Sequence, residues 1–274
     1  MIQYPERIVI ELASYCNLSC SMCDRSLVKN SRPYMSKDRF KAYIDQVVLD
    51  GFNPVVLPFW RGESCTHPYF VDLLEYALSK GVRIHLSTNG HFMEKQFVDI
   101  FYRCEFINFS AHNDRCIKST LKFVENKPEW SKTDIQVSFV ENEKTVAKYC
   151  SSIVSSPTLK GFDSVRYYEV HDQGQLQNLK DFNSFQGACK KLQNTLVLDV
   201  NGSISRCAYI WNDAHENNSN NDISIQDLWN GFFLNDVRRN YPDNICGNCD
   251  QWAGKTTGKA WRIGQDKKVE YIKT

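Results

Sequence analysis

The chain has 274 residues, enough for one large domain or for one with a small appendage. Its 33 Lys and Arg against 32 Asp and Glu leave a formal net charge of +1, which argues against nucleic acid or an acidic membrane as the main partner. No apolar run reaches the roughly 18 residues of a transmembrane helix and the short polar start before Ile8 is no signal peptide, so the expected setting is a reducing cytoplasm, where the 11 cysteines read as metal ligands before disulfides.

Apolar segments alternate with amphipathic stretches over residues 1–175. The pattern predicts strands over Arg7–Leu12, Asn53–Trp60, Val82–Ser87, Phe106–Ala111, Ile135–Val140 and Ser164–Val170. Helical periodicity falls near Ser36–Leu49, Pro68–Lys80, Glu94–Tyr102, Asp114–Asn126 and Glu143–Ser155, with Gly51, Gly81, Gly90 and Gly161 at the joins. Strand–helix alternation argues for an α/β fold with a parallel sheet and right-handed crossovers.

In such folds ligands collect at the C-terminal ends of the strands, so the polar residues there are the first candidates for chemistry. The second strand runs into Arg61-Gly62-Glu63-Ser64, with Cys65 and His67 just beyond. The third ends in Ser87-Thr88-Asn89-Gly90, the fourth in Ser110-Ala111-His112-Asn113, and the sixth carries Arg166, Tyr167, Tyr168 and Glu169 before His171. Strand alternation sends Arg166 and Tyr168 to one face and Tyr167 and Glu169 to the other.

The cysteines fall into two sets. Cys16, Cys20 and Cys23 lie on one short loop after the first strand. A structural zinc site takes four protein ligands, as does an iron–sulfur cluster held by protein alone. Three thiolates leave one iron open to an outside ligand; a zinc loop or three unrelated cysteines are the alternatives. After Gln173 the composition turns loop-rich. Cys189 is followed by a predicted strand over Thr195–Val200, a two-residue Asn201-Gly202 hairpin turn, and a second strand over Ser203–Cys207. A helix is predicted near Ile225–Arg239, followed by Cys246 and Cys249. Four ligands would close this site, as an iron–sulfur cluster or as a zinc ribbon. Cys65, Cys104, Cys116 and Cys150 read as small core residues, with Cys65 set apart by its nearness in sequence to Glu63. The Lys- and Arg-rich stretch after Gln251 reads as a solvated or loosely packed tail.

The C-x₃-C-x₂-C loop resembles that of the radical S-adenosylmethionine (AdoMet) superfamily. The C-x₁₂-G-x₄-C hairpin, helix and C-x₂-C resemble the twitch domain, the shortened form of the SPASM domain found in members of that superfamily. The resemblance implies a partial (β/α)₆ TIM-like barrel over residues 1–178, a small β-hairpin/helix twitch domain over 179–252 and a C-terminal tail over 253–274. It implies a 4Fe-4S cluster on Cys16, Cys20 and Cys23, with the amino and carboxylate groups of AdoMet on the open iron. Cys189, Cys207, Cys246 and Cys249 would hold one auxiliary 4Fe-4S cluster, closed and so suited to electron transfer. Gly62 and Glu63 resemble the family's Gly-Gly-Glu-Pro motif, with Arg61 and Ser64 in place of its outer residues. Thr88, Asn89 and Ser110 match strand ends that contact AdoMet, and Met22 stands where an aromatic residue often covers the adenine.

The implied activity is reductive cleavage of AdoMet to methionine and a 5′-deoxyadenosyl radical, which takes hydrogen from a substrate. The layout is most similar to that of a dehydrogenase of aminoglycoside biosynthesis. It implies an oxidoreductase acting on a small polar molecule such as a sugar, cyclitol or nucleoside. An auxiliary cluster that accepts the second electron gives dehydrogenation; a thiol that returns hydrogen gives epimerisation. Cys65, His67, His112, Arg166, Glu169 and His171 are the candidate bases, hydrogen donors or substrate anchors. An external donor such as flavodoxin or ferredoxin would supply the electron. A peptide- or protein-modifying maturase, and a zinc-binding interaction module without catalysis, remain as other readings.

Overall fold

The computed structural model of the protein describes residues 4–20, 23, 25, 33–49, 51–111, 113–140, 162–168, 189–211, 214–215, 224–240, 246, 258–263 and 269–272. Met22, Cys150, His112, Glu169, His171, Cys249 and the helix expected over Glu143–Ser155 lie outside the described residues.

The expected alternation is realised from the first strand to the fifth. In chain order come β1 (Arg7–Ile10), α1 (Lys37–Leu49), β2 (Val55–Leu57), α2 (Phe70–Ser79), β3 (Arg83–Thr88), α3 (Lys95–Phe101), β4 (Phe106–Ser110), α4 (Asp114–Glu125), β5 (Asp134–Val140) and β6 (Ser164–Tyr168). Helix spacing explains what α1 and α2 bury: Phe40, Tyr43, Ile44 and Val47 in one, Phe70, Leu73, Leu74 and Ala77 in the other. The side chain of Asn113 accepts from Cys116 N and starts α4. The fold is α/β, and the strands of this part of the chain pair in parallel.

The chain divides into two compact units. The first comprises residues 1–18, 23–84 and 172–255. Its sheet is built outward from β1, which lies parallel to β2 on one side. On its other side β1 pairs in parallel with β7 (Thr195–Leu198), from Arg7↔Thr195 to Ile10↔Leu198. The short β8 (Ile204–Ser205) and β9 (Ala214–His215) continue the sheet antiparallel. Ile8, Val9, Ile10 and all four residues of β7 are buried, as strands covered on both faces should be. This unit also holds α5 (Lys190–Asn194), α6 (Ile225–Asn230) and α7 (Phe232–Arg239).

The second unit comprises residues 19–22, 85–171 and 256–274. Here the later residues of β3 pair with β4, then β5, then β6, all in parallel. Leu86, Ile107, Phe109, Ile135 and Val137 are buried on one face. There Phe101, Phe109, Phe123 and Tyr102 form an aromatic core, with Tyr102 and Phe123 stacked at 4.3 Å. The opposite face carries a row of polar side chains in register, Ser87, Asn108, Gln136 and Ser164. Asn108 Nδ2 donates to Ser87 Oγ and Ser138 Oγ at 3.0 Å each, and Gln136 Nε2 donates to Asn108 Oδ1 at 3.0 Å.

Three expectations are corrected. The helix near Ile225–Arg239 is two helices, because Gly231 adopts an extended conformation (φ −67°, ψ 166°) between α6 and α7. The stretch after Gln251 is not a loose tail throughout. β10 (Gly258–Ile263) pairs antiparallel with β6, and β11 (Val269–Ile272) with β10. The apolar and aromatic residues Ala260, Trp261, Ile263, Val269 and Tyr271 supply strand propensity that a count of lysines hides. The hairpin turn between β7 and β8 has three residues, not two. Asp199 N bonds Ser203 O, Gly202 N closes a turn on Asp199 O, both at 2.9 Å, and Gly202 takes φ +80°. That is the loop length at which a left-handed glycine follows a simple turn.

Replacing Phe109 by Ala should cost about 3–5 kcal/mol, since a fully buried aromatic ring leaves a cavity among its neighbours. The check is the fall in urea midpoint relative to the intact chain.

Candidate metal centre

The loop bearing the three cysteines begins where β1 ends. Its stems are joined by a bridge between Ala13 and Tyr34. Ser14 N donates to Pro33 O and Met35 N to Leu12 O, each at 2.9 Å. These bonds fix the entrance and exit of the loop whatever its tip does. Cys16 and Cys20 are half-buried and Cys23 is exposed. Leu18 N points at Cys16 Sγ from 3.4 Å. Burial pushes the Cys16 thiol pKa up and the Glu63 carboxylate adds to the rise, while the Leu18 N–H opposes it. A cation at the loop would reverse that balance in favour of the thiolate.

The segment after β2 is clamped to the same backbone. A Cβ on Gly62 would lie 2.4 Å from Ala13 O and 2.5 Å from Tyr15 O, so only glycine fits there. Glu63 N donates to Tyr15 O at 2.9 Å, immediately before Cys16. Glu63 is 4% exposed, and its side chain accepts from Cys65 N at 3.1 Å, capping the short 3₁₀ turn Ser64–Thr66. Ser64 Oγ closes the turn onto Pro58 O at 2.6 Å. Gly62 and Glu63 are therefore brought to Cys16 by backbone contacts that sequence spacing alone does not reveal.

His67 and Cys65 are both buried in or next to this turn. His67 Nδ1 accepts from Tyr69 N at 3.1 Å, so Nε2 carries the proton and donates to Met35 O at 2.9 Å. Both ring nitrogens thus hold backbone, and burial lowers the imidazole pKa. Cys65 is buried. Cys104, also buried, has its pKa pushed up to about 12 by desolvation, in keeping with a core role.

Three buried charges beside the loop were not among the candidates. Arg61 Nε and Nη2 fork onto Glu11 Oε1 and Oε2 at 2.8 and 2.6 Å. Asp199 Oδ2 lies 3.8 Å from Arg61 Nη2. Burial raises the Glu11 pKa despite the lowering effect of Arg61. The signal that could have found this cluster is Glu11 itself, a carboxylate at the end of an otherwise apolar strand.

The second cysteine set lies in the first unit. Cys189 precedes α5 and Cys207 follows β8, and both are half-buried, as is Cys246. The Cys207 turn is closed by Ile210 N donating to Cys207 O at 3.2 Å. Tyr209 N points at Cys207 Sγ from 3.5 Å, the same residue-plus-two arrangement as at Cys16. Among the described residues no three His, Cys, Asp or Glu side chains already converge as a metal cage. The fit to thiolate-bound metal rests instead on the donor chemistry: accessible sulfurs, of which Cys16 and Cys207 are each met by a backbone N–H, on turns closed by backbone bonds.

The other candidates belong to the second unit. Thr88 and Asn89 are buried, Thr88 Oγ1 accepts from Gly90 N at 3.3 Å, and Asn89 Oδ1 accepts from His91 N at 3.0 Å. Ser110 Oγ receives Asn108 Nδ2 at 3.5 Å. Arg166 stands opposite Ser138, which stands opposite Ser110, on the polar side of the sheet.

No protein-family model matches the chain. The AdoMet-dependent heme synthase of Methanosarcina barkeri is 32% identical over 101 residues, 36% of this chain and 28% of that protein. The tungsten-containing aldehyde ferredoxin oxidoreductase cofactor-modifying protein of Pyrococcus furiosus is 28% identical over 85 residues, 30% of this chain and 23% of that protein. The chain thus matches about a quarter of the length of these relatives. Among solved structures, BtrN in complex with AdoMet and 2-DOIA superposes with a TM-score of 0.66 at 15% identity, covering 91% of this chain and 94% of BtrN. Streptococcus suis SuiB bound to its precursor peptide SuiA gives 0.65 at 14% identity, over 90% and 70% of the two chains. The AdoMet-bound anSMEcpe gives 0.60 at 14% identity, over 85% and 82%.

These likenesses define the class of the fold, an α/β partial barrel of the kind that BtrN and SuiB share. The chain thus shares the fold of BtrN and a similar layout, and over about a third of its length it is similar in sequence to an AdoMet-dependent heme synthase.

Because the folded chain holds the His67 pKa below its ordinary 6.5, the unfolded chain takes up the extra proton first as pH falls. Folding stability should therefore decline as pH drops through about 6.5. The urea midpoint of His67→Gln, which cannot titrate, should fall less between about pH 7.5 and 5.5 than that of the intact chain. Equal falls would remove His67 from the explanation.

Proposed function

We propose that the chain is a radical SAM dehydrogenase of a small polyhydroxylated substrate, with two 4Fe-4S clusters. The observation that carries the reading is the clamp of Gly62 and Glu63 onto the backbone that enters the cysteine loop. It brings a buried carboxylate to a loop of three thiols, which is what holding an amino-acid ligand on an open iron requires. In this reading Cys16, Cys20 and Cys23 hold the first cluster, and Glu63 receives the amino group of AdoMet. Gly62, Thr88, Asn89, Ser110 and Met22 line the rest of the cofactor. Cys189, Cys207, Cys246 and Cys249 hold the second cluster, within a twitch domain that follows the barrel.

Held by Cys16, Cys20, Cys23 and Glu63, the cluster and AdoMet would supply one chemistry, removal of a hydrogen atom from a carbinol carbon at the cost of one electron from an outside donor. The chain's own residues do the rest. They exclude water, orient the substrate C–H, and accept the proton that leaves as the carbinol becomes a carbonyl. A cluster held by Cys189, Cys207, Cys246 and Cys249 would supply the acceptor for the one electron that the substrate still has to lose. His67 already bonds backbone through both ring nitrogens, which favours His112, Glu169 or His171 as the base. Arg166 and Cys65 remain a substrate anchor and a lining residue.

Support for a polyhydroxylated substrate comes from the polar row Ser87, Asn108, Gln136 and Ser164 beside Ser110, Ser138 and Arg166. Neutral amides and hydroxyls, already arranged as a donor–acceptor chain, suit hydroxyl groups better than an apolar peptide side chain. A flavodoxin or ferredoxin would deliver the electron. No described helix is long and apolar enough to cross a membrane. SuiB, solved with a precursor peptide, keeps a peptide-modifying role as the second reading.

The anaerobically reconstituted chain, reduced in the presence of AdoMet, should release 5′-deoxyadenosine, and Cys16→Ala should release none. Glu63→Gln should keep its iron but lower the yield about tenfold, the loss of one charge-assisted hydrogen bond. With a polyol deuterated at its carbinol carbons, deuterium should appear in the 5′-deoxyadenosine. Deuterium transfer from a peptide alone would select the second reading.

A further inference from the structure

Where the superfamily motif has its first glycine, this chain has Arg61, and the arginine is buried at 4% exposure. Its guanidinium spends its donors in two directions. Nε and Nη2 engage Glu11, which stands between β1 and the first cysteine loop. Nη1 donates to Trp211 O at 2.9 Å. The guanidinium also covers the ring of Trp60, 4.0 Å from its centroid. Trp60 Nε1 in turn donates to Ala208 O at 2.7 Å. Two consecutive side chains, on the segment that runs directly into Gly62 and Glu63, therefore bind the carbonyls at both ends of the stretch after Cys207. Glu11 Oε2 adds a third link by accepting from Val200 N at 3.2 Å in the hairpin that leads to Cys207. All of these groups lie in the first unit.

We propose that Arg61, together with Trp60, is a positioning residue that fixes the Cys207 turn to the Gly62–Glu63 segment. The inference rests on reading Cys189, Cys207, Cys246 and Cys249 as ligands of the second cluster. Arginine suits the task because its planar fork grips Glu11 with two N–H groups and keeps a third for Trp211, which a lysine cannot do. The turn it holds also aims Tyr209 N at Cys207 Sγ. Hydrogen bonds to ligand sulfur tune the potential of an iron–sulfur cluster. The electronic state of the second cluster thus depends on residues that do not touch it.

The test uses the full chain carrying Cys16→Ala, Cys20→Ala and Cys23→Ala, so that only the second set can hold iron. Arg61→Met and Trp60→Phe are added separately, and iron content, the electron paramagnetic resonance spectrum of the reduced cluster and its midpoint potential are measured. Trp60→Phe should keep its iron and show shifted g-values and a shifted potential. Arg61→Met should lose at least about half of the iron that the parent holds. Parent-like iron, spectrum and potential in both variants would overturn the inference and leave the cluster reading standing. If Arg61→Met does not fold, the Trp60→Phe spectrum decides alone. A parent that takes up no iron would overturn the cluster reading and this inference with it.

Discussion

Glu11 and Arg61 meet in a buried, two-pronged ion pair at the point where three parts of the first unit come together. Their side chains are 0% and 2% exposed. Glu11 leads out of β1 toward Cys16, Arg61 leads into Gly62 and Glu63, and the carbonyl and N–H groups that complete the pair come from Trp211 and Val200. Replacing a whole buried pair by apolar residues is often neutral for stability, but removing one partner costs about 3–5 kcal/mol because the other charge is stranded. Asp199 raises the stakes, since two buried carboxylates share one guanidinium. The pair is best understood as a device of geometry. It determines which backbone groups stand beside the cysteine loop, and the Gly62 clamp then completes the arrangement at van der Waals contact.

Much of the fold was legible in the chain because the strands from β1 to β5 are short segments with alternating or continuous apolar residues, separated by helical patterns. Local patterns of that kind report local structure. They do not report partners that are distant in sequence. Nothing in Thr195–Leu198 says that it will lie parallel to Arg7–Ile10 rather than serve only as one arm of a hairpin. Its burial on both faces is what an inner strand of a covered sheet shows, and the fold gives it β1 on one edge and β8 on the other. The break at Gly231 was hidden by helical periodicity on either side, and the strands β10 and β11 by the charges interspersed among their apolar residues.

The candidate site was legible in a similar, partial way. Cysteine spacing is readable because ligands of one metal would have to be spaced in this way, and the Gly62-Glu63 pair is readable beside it. The role of Arg61 was not readable. In sequence it is merely one of two residues, with Ser64, that depart from the motif that Gly62 and Glu63 resemble, and only the fold shows that Glu11 and Trp211 receive it. His67 shows the converse. Its place near Glu63 recommended it for catalysis, whereas its two ring nitrogens are occupied in holding Met35 and Tyr69 backbone. The polar row through Asn108 escaped notice because each member is an ordinary strand residue, and the row exists only through the register of four strands.

The central claim is that two separate cysteine sets each hold a four-iron cluster. The most direct test is iron, acid-labile sulfide and zinc per chain after anaerobic reconstitution, for the intact chain and for the chain with Cys16, Cys20 and Cys23 all replaced by Ala. The account predicts about 8 Fe with matching sulfide in the first and about 4 in the second. Zinc in both, with no iron taken up, would contradict it.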